Sequence, residues 1–161
     1  MDTIIDATAA GSPEALATAV ATAIRGRDRV SRQLGIDLLD IGPGRARMAI
    51  TVREDMLGGH DLCHGGILFT LADTACAYAV CSRNVATLSQ TMNVAFIAPA
   101  RLGDRLTAEA TEVVTSGRTA YYDIRITNQD EHQVAVVRGQ CRLLGKPILV
   151  TEAGDSTASP A

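Results

Sequence analysis

Residues 67–81 carry apolar side chains nearly all the way round a helix, with one carboxylate, Asp73, among them. Leu68, Leu71, Ala72, Ala75, Cys76 and Ala79 recur at the i, i+3, i+4, i+7 spacing of a single helical face. The opposite face is hardly more polar, because Phe69, Ala77, Tyr78 and Val80 fill much of it. Such a helix has to be covered on every side. Only Thr70, Asp73, Thr74 and Ala77 form a strip that could border a polar site. An ionised carboxylate in that setting is costly unless it is hydrogen-bonded, paired or held protonated. Asp73 is therefore either a structural carboxylate satisfied by hydroxyls such as Thr70 or Thr74, or a functional one.

The rest of the chain has to supply the cover. At 161 residues it suits one domain with its own core and no disulfide or metal staples. The turn signal Gly42-Pro43-Gly44 separates two strand candidates, residues 36–41 and 45–53. In the second, Ala46, Met48, Ile50 and Val52 alternate with Arg45, Arg47, Ala49 and Thr51, the pattern of an antiparallel strand with one wet face. A Gly-rich loop, residues 56–64, leads into the central helix, which should end near Arg83 and Asn84.

Four period-two stretches follow, with no helical pattern between them: residues 86–98, 104–114, 119–127 and 134–144. In the first, Ala86, Leu88, Met92, Val94 and Phe96 should face one way, and Thr87, Ser89, Thr91 and Asn93 the other. The order is hairpin, buried helix, then a meander of sequential antiparallel strands. One helix to cover and one sheet to cover it predict an α+β domain of hot-dog type, a curved antiparallel sheet wrapped around the long helix. This domain spans residues 35–146. Residues 1–34 form an N-terminal extension, fraying up to Gly11 and then helical from Ser12-Pro13 to about Gln33. Residues 147–161 form a flexible tail, small, polar and disorder-prone from Thr151 onward.

Composition removes several functions. The net charge is −3, and the cations are scattered arginines with a single lysine, Lys146, so no basic stripe suits nucleic acid. Residues 1–23 lack the basic and strongly apolar regions of a signal peptide, and residues 67–81 are too few for a membrane span. Cys63, Cys76, Cys81 and Cys141 show no metal-binding spacing and suit the reduced core of a cytoplasmic protein. His60, His64 and His132 are too few and too separated for a metal site. A Cys63–His64 nucleophile lacks an orienting third group, and no G-x-S-x-G elbow is present.

The run from His60 through Cys63-His64-Gly65-Gly66, with Phe69, Leu71-Ala72-Asp73-Thr74-Ala75 and Ala77-Tyr78-Ala79, resembles the PaaI-like acyl-CoA thioesterases of phenylacetic acid degradation. The likeness extends over residues 34–144, through Gly35-Ile36, residues 44–52, Tyr122-Asp123-Ile124 and Val137-Arg138-Gly139. The resemblance implies hydrolysis of a small aryl-acetyl or other acyl thioester of coenzyme A. It implies no metal or redox cofactor, coenzyme A being part of the substrate, and a dimer or a dimer-of-dimers tetramer. By position, Asp73 matches the catalytic carboxylate and Gly65 the residue whose N–H polarises the thioester carbonyl. Gly58 stands where asparagine is often found, so a polar contact to the thioester is expected to be missing. Cys76 and Cys81 stand where phenylalanine and asparagine are common, which leaves the acyl group open.

The residue types suit that chemistry. Thioester hydrolysis needs a carboxylate as base or nucleophile and donors aimed at the oxygen that becomes negative. Helix N-terminal amides are such donors, and Gly65 and Gly66 let a ligand approach them closely. His64 orders the loop or contacts the carbonyl rather than acting as a general base. His60, Gly58, Thr74 and Ala77 complete the expected substrate-binding set, and Arg118, then Arg83, are the candidate contacts for the phosphates of coenzyme A. Asp73 lies eight residues beyond Gly65, about 12 Å along the axis at ~1.5 Å per residue. Carboxylate and carbonyl donor should therefore meet across a two-fold axis, one from each subunit. Two further readings remain open: a hot-dog hydratase or dehydratase, which would want an Asp/His pair near the helix start, and a non-catalytic acyl-CoA binding module.

Overall fold

The structure is a computed structural model that describes residues 11–150. The fraying of residues 1–10 and the disorder expected of residues 151–161 lie outside it. Ser12 caps the first helix, α1 (Pro13–Arg27), by accepting the Ala15 N–H at 3.2 Å, with Pro13 at the first helical position. The expected single helix to Gln33 is broken at Asp28. Asp28 leaves the helical conformation and caps α2 (Arg29–Leu34), its carboxylate accepting from the Ser31 N–H at 2.9 Å and from the Ser31 hydroxyl. Gly35, at φ +73°, ends α2 in the left-handed region. Ala17, Val20 and Ala21 of α1 are buried.

The hairpin is β1 (Asp37–Gly42) and β2 (Arg45–Thr51), and the central helix is α3 (Gly65–Cys81). Then come β3 (Thr87–Phe96), β4 (Arg105–Ser116), β5 (Thr119–Thr127) and β6 (Gln133–Leu143). All pairings are antiparallel, in the order β1-β2-β4-β5-β6-β3. The strands after α3 are therefore not a simple meander. β4, β5 and β6 are, but β3 crosses to the far edge and pairs with β6, Val94 opposite Val137 and Phe96 opposite Ala135.

The inner face of the sheet takes up α3. Ala46, Met48 and Ile50 of β2, Leu106, Ala108 and Ala110 of β4, and Ala120, Tyr122, Ile124 and Ile126 of β5 pack with Leu68, Leu71, Ala72, Ala75, Cys76 and Ala79 of the helix. The inward set expected for β5 is the one observed. Each fully buried Leu, Ile or Val contributes about 1.5–3 kcal/mol, so this helix–sheet interface dominates the stability. One side of α3 stays uncovered: Phe69 is 37% exposed and Thr70, Asp73, Thr74 and Ala77 are half-buried or exposed.

The face assignment of β3 differs from the alternation in the sequence. The β3–β6 register shifts between Ser89 and Thr91, and a bulge of one residue exchanges the two faces beyond it. Thr87 and Ser89 therefore turn toward α3 together with Met92 and Val94, whereas Leu88 is 62% exposed.

Candidate active site

The loop before α3 is built to deliver His64 as its cap. Gly58 N–H donates to Leu62 O at 2.8 Å, Asp61 N–H to Gly58 O at 3.1 Å, and His64 N–H to Met56 O at 2.9 Å. Gly58 sits in this turn with ordinary space around it, 3.5 Å from His64 Cδ2 to an added Cβ. His60 is exposed on the same loop. His64 Nδ1 accepts the Gly66 N–H at 2.9 Å, so the ring proton belongs on Nε2. His64 thus orders the helix start, one of the two roles expected of it.

Gly65 is the first residue of α3, and its N–H has no acceptor within the helix. The Gly66 N–H is used by His64, which leaves Gly65 to present a donor, with the positive end of the helix dipole behind it. Phe96, from the end of β3, lies over Gly65: a Cβ there would come within 3.0 Å of Phe96 Cζ. Leu62, Leu68, Phe96, Ile97 and Pro99 border an apolar cleft of about 470 Å³ beside it.

Asp73 projects from the half-open side of α3. Its Oδ1 accepts a hydrogen bond from Ser89 Oγ at 2.8 Å. The expected partners Thr70 and Thr74 do not fill this place; Thr70 donates instead to Gly66 O at 2.8 Å. Ser89 is the site residue that alternation concealed, since the bulge after it is what turns it inward. The run Ser89-Gln90-Thr91, three polar residues in succession, was the available signal that alternation breaks there. Thr74 and Ala77 lie beside Asp73 on the same half-buried strip.

The two arginines expected at the phosphates are engaged elsewhere, beyond the opposite end of α3 from Gly65. Arg83 pairs with Glu112, which also accepts from Thr115 at 2.9 Å and from the Tyr122 hydroxyl at 3.3 Å. Burial pushes Glu112 up, but the hydrogen bonds from Arg83 and Thr115 outweigh it and leave the carboxyl below its ordinary value. Arg118 donates to the carbonyls of Leu143 and Leu144, at 3.4 and 3.1 Å. Both residues close the end of the sheet.

The cysteines are core residues. Cys63 is buried, and burial with the nearby charge of Asp104 pushes its thiol up to about 11, the opposite of an activated nucleophile. Cys76 faces the sheet, its sulfur 3.6 Å from that of Cys141, and Cys81 Sγ lies 3.3 Å from Thr87 Oγ1. Neither Cys76 nor Cys81 lines the open side of α3. Among the described residues no group of three His, Cys, Asp or Glu side chains is placed to hold a metal ion, and no helix is long and apolar enough to cross a membrane.

A long helix with a free N-terminal donor and a half-open carboxylate, wrapped by a curved antiparallel sheet, is the hot-dog arrangement. The model of the Thioesterase superfamily matches residues 60–135, which include both. The acyl-coenzyme A thioesterase PaaI of Escherichia coli (strain K12) is 41% identical over 121 residues, 75% of this chain and 86% of that protein. The structure of the E. coli PaaI protein from the phenylacetic acid degradation operon superposes with a TM-score of 0.83 at 39% identity, over 84% of this chain and 99% of that one. A mutant of the phenylacetic acid degradation protein PaaI from Thermus thermophilus gives 0.69 at 34% identity, over 71% and 98%. The chain belongs to the PaaI-like acyl-CoA thioesterases of the thioesterase superfamily, enzymes that hydrolyse thioesters.

Proposed function

We propose that the chain hydrolyses phenylacetyl-CoA, hydroxyphenylacetyl-CoA or a related small acyl-CoA thioester to the free acid and coenzyme A, in the degradation of phenylacetic acid. The observation that carries this reading is the division of labour along α3. Gly65 offers an unengaged N–H at the helix start, and Asp73, two turns on, offers a carboxylate held by one hydroxyl on the half-open side. The carbonyl oxygen is received at Gly65, where the negative charge of the tetrahedral intermediate develops. Asp73 delivers the new oxygen to the carbonyl carbon in one of two ways: it deprotonates a water that attacks there, or it attacks with its own oxygen to give an acyl anhydride that a water then hydrolyses to the free acid. The C–S bond breaks and the thiolate leaves as coenzyme A after taking a proton. The apolar cleft under Phe96 and Ile97 shields the reacting carbonyl from bulk water.

The two groups come from different subunits. Gly65 meets Phe96 at one end of β3, whereas Asp73 meets Ser89 near its other end, so α3 and β3 run in opposite directions. A dimer that joins two β3 edges about a two-fold axis sets Gly65 of one subunit toward Asp73 of the other, forming two equivalent sites. Support comes from the position of β3 at the sheet edge and from the exposure of Leu88 and of Phe96, at 53%. Two such dimers form the tetramer, and the enzyme is cytoplasmic.

The deciding experiment measures free thiol released from phenylacetyl-CoA and straight-chain acyl-CoAs, comparing wild type with Asp73→Asn. The variant should fold and bind while losing about 10²–10⁴ of kcat, the range of a positioned acid–base group. A folded wild type inert on every thioester would refute enzyme function and leave the acyl-CoA binding module. Solvent ¹⁸O in Asp73 after a single turnover would support attack by Asp73 itself; its absence there favours water as the attacking group.

A further inference from the structure

All four cysteines are buried, and two of them touch. Cys63 Sγ meets the His64 carbonyl at 3.8 Å and Cys81 Sγ the Thr87 hydroxyl at 3.3 Å. Cys76 of α3 and Cys141 of β6 meet each other instead, with 3.6 Å between the sulfurs. Gly139, on the same face of β6 as Cys141, makes room for this contact: a Cβ there would stand 3.1 Å from Cys76 Sγ. The hydrolytic reaction uses neither thiol.

We propose that Cys76 and Cys141 form a peroxide-sensitive dithiol whose closure to a disulfide displaces Asp73 and slows turnover. The inference rests on the reading of Asp73 as the catalytic carboxylate, and it concerns the regulation of that site.

The pair ties together the two elements that set Asp73. Cys76 is one turn beyond Asp73 on α3. Cys141 is the cross-strand partner of Ser89, the residue whose hydroxyl donates to Asp73 Oδ1 at 2.8 Å. A disulfide holds its sulfurs ~2.05 Å apart, so closure draws these two about 1.5 Å nearer and moves α3 against β6. The helix that carries the carboxylate then shifts relative to the strand pair that carries its donor. Both thiols are wholly buried, but a reagent as small as hydrogen peroxide has a way in. The β3–β6 register passes from Ser89–Cys141 to Thr91–Gln140, which leaves Gln90 without a cross-strand partner, and Ser89 and Gln90 are exposed. A ladder interrupted beside Cys141 is where the edge strand opens most readily.

The two sulfurs differ in the way the chemistry needs. The hydrogen bond from Cys76 draws the Cys141 thiol below its ordinary value, while contact with Cys141, then burial, pushes Cys76 far above. The proton of the pair therefore belongs to Cys76 and the thiolate to Cys141. The Cys141 thiolate attacks one oxygen of hydrogen peroxide; the O–O bond breaks, hydroxide leaves and a sulfenic acid remains on Cys141. The Cys76 sulfur, already in contact, then attacks the Cys141 sulfur. The S–S bond forms, the S–O bond breaks, and the hydroxyl group departs with the Cys76 proton as water. Two electrons pass from the sulfurs to the peroxide, and a dithiol reductant reverses the change.

The test treats the full chain with hydrogen peroxide, desalts it and takes two readings: the mass and fragment spectra of its tryptic peptides, and turnover of phenylacetyl-CoA followed by loss of thioester absorbance. The expected product is a Cys76–Cys141 bridge lighter by two hydrogens, with kcat lowered about 10-fold, part of the ~10²-fold that a full 1 Å displacement costs, and restored by dithiothreitol. Cys141→Ala keeps Cys63 and Cys81 and should hold its own turnover through the same treatment. Should it not fold, Cys76→Ala removes the pair in the same way. Absence of the bridge after peroxide overturns the proposal. So does a bridged protein that turns over at the reduced protein's rate, or a peroxide loss of equal size in Cys141→Ala. A wild type inert on every thioester, or undiminished turnover by Asp73→Asn, would instead overturn the catalytic reading, while the bridge is still decided by mass.

Discussion

Gly139 tests how tightly α3 is held against the sheet. It lies on β6 opposite Met92 of β3 and Tyr122 of β5. A methyl group there would stand 3.1 Å from Cys76 Sγ, 3.6 Å from Met92 Cε and 3.7 Å from Ile124 Cδ1. The last two are ordinary contacts, and the first falls short of a comfortable separation by about 0.5 Å. The sulfur has no room to retreat, because Cys141 stands 3.6 Å from it and Cys76 is wholly buried. Overpacking of this kind costs about 1–3 kcal/mol. Alanine returns ~0.5–1 kcal/mol by restricting the unfolded chain. The net expectation for Gly139→Ala is a loss of about 1–2 kcal/mol, or a melting midpoint lower by roughly 2–8 °C for a chain of this length. Urea or thermal unfolding measures it. Combined with Cys76→Ala, the new methyl occupies the vacated space, and the double variant should lose at least ~0.5 kcal/mol less than the sum of the single losses. Additive losses, or a Gly139→Ala protein as stable as wild type, would refute the close fit.

Gly65→Ala keeps the N–H but pushes a methyl into the exposed Phe96 ring, which can swing away, so stability should fall by less than ~1 kcal/mol, while a thioester carbonyl held off by about 1 Å should lower kcat/KM by about 10²-fold in the thiol-release assay. His64→Ala removes the Nδ1 acceptor of the Gly66 N–H, and unfolding by urea should show a loss of about 1 kcal/mol. Glu112 is held below its ordinary value, so its hydrogen bonds stabilise the fold at and above the unfolded carboxylate range and are lost as pH falls through the lowered value. Glu112→Gln should therefore be less stable than wild type by about 1 kcal/mol at pH 7, with the gap closing below about pH 4 in parallel melts.

The helix and its carboxylate were legible because α3 declares itself locally: Leu68, Leu71, Ala75 and Ala79 need no distant residue to define a face. Gly42-Pro43-Gly44 marks the first hairpin in the same way, and β5 keeps strict alternation from Ala120 to Ile126. What stayed hidden depends on pairing at long range. Nothing near residues 87–96 states that their partner is β6 rather than β4. The bulge after Ser89 shifts a pattern of period two by one, which is enough to invert it, so alternation alone turns Ser89 away from Asp73. Arg83 and Arg118 look free in the sequence because Glu112 and the Leu143 and Leu144 carbonyls approach them only in the folded chain.

The strand order also sets a timetable for synthesis. β3 leaves the ribosome soon after α3, but its partner within the chain, β6, begins about 40 residues later, a delay of roughly 2–8 s at ~5–20 residues per second. Through that interval the apolar helix α3 has only α1 and the first hairpin to lean on, and β3 has both edges open. The pace of translation across residues 97–132 therefore governs how long the nascent chain is open to capture by a chaperone or by another unfinished copy of itself.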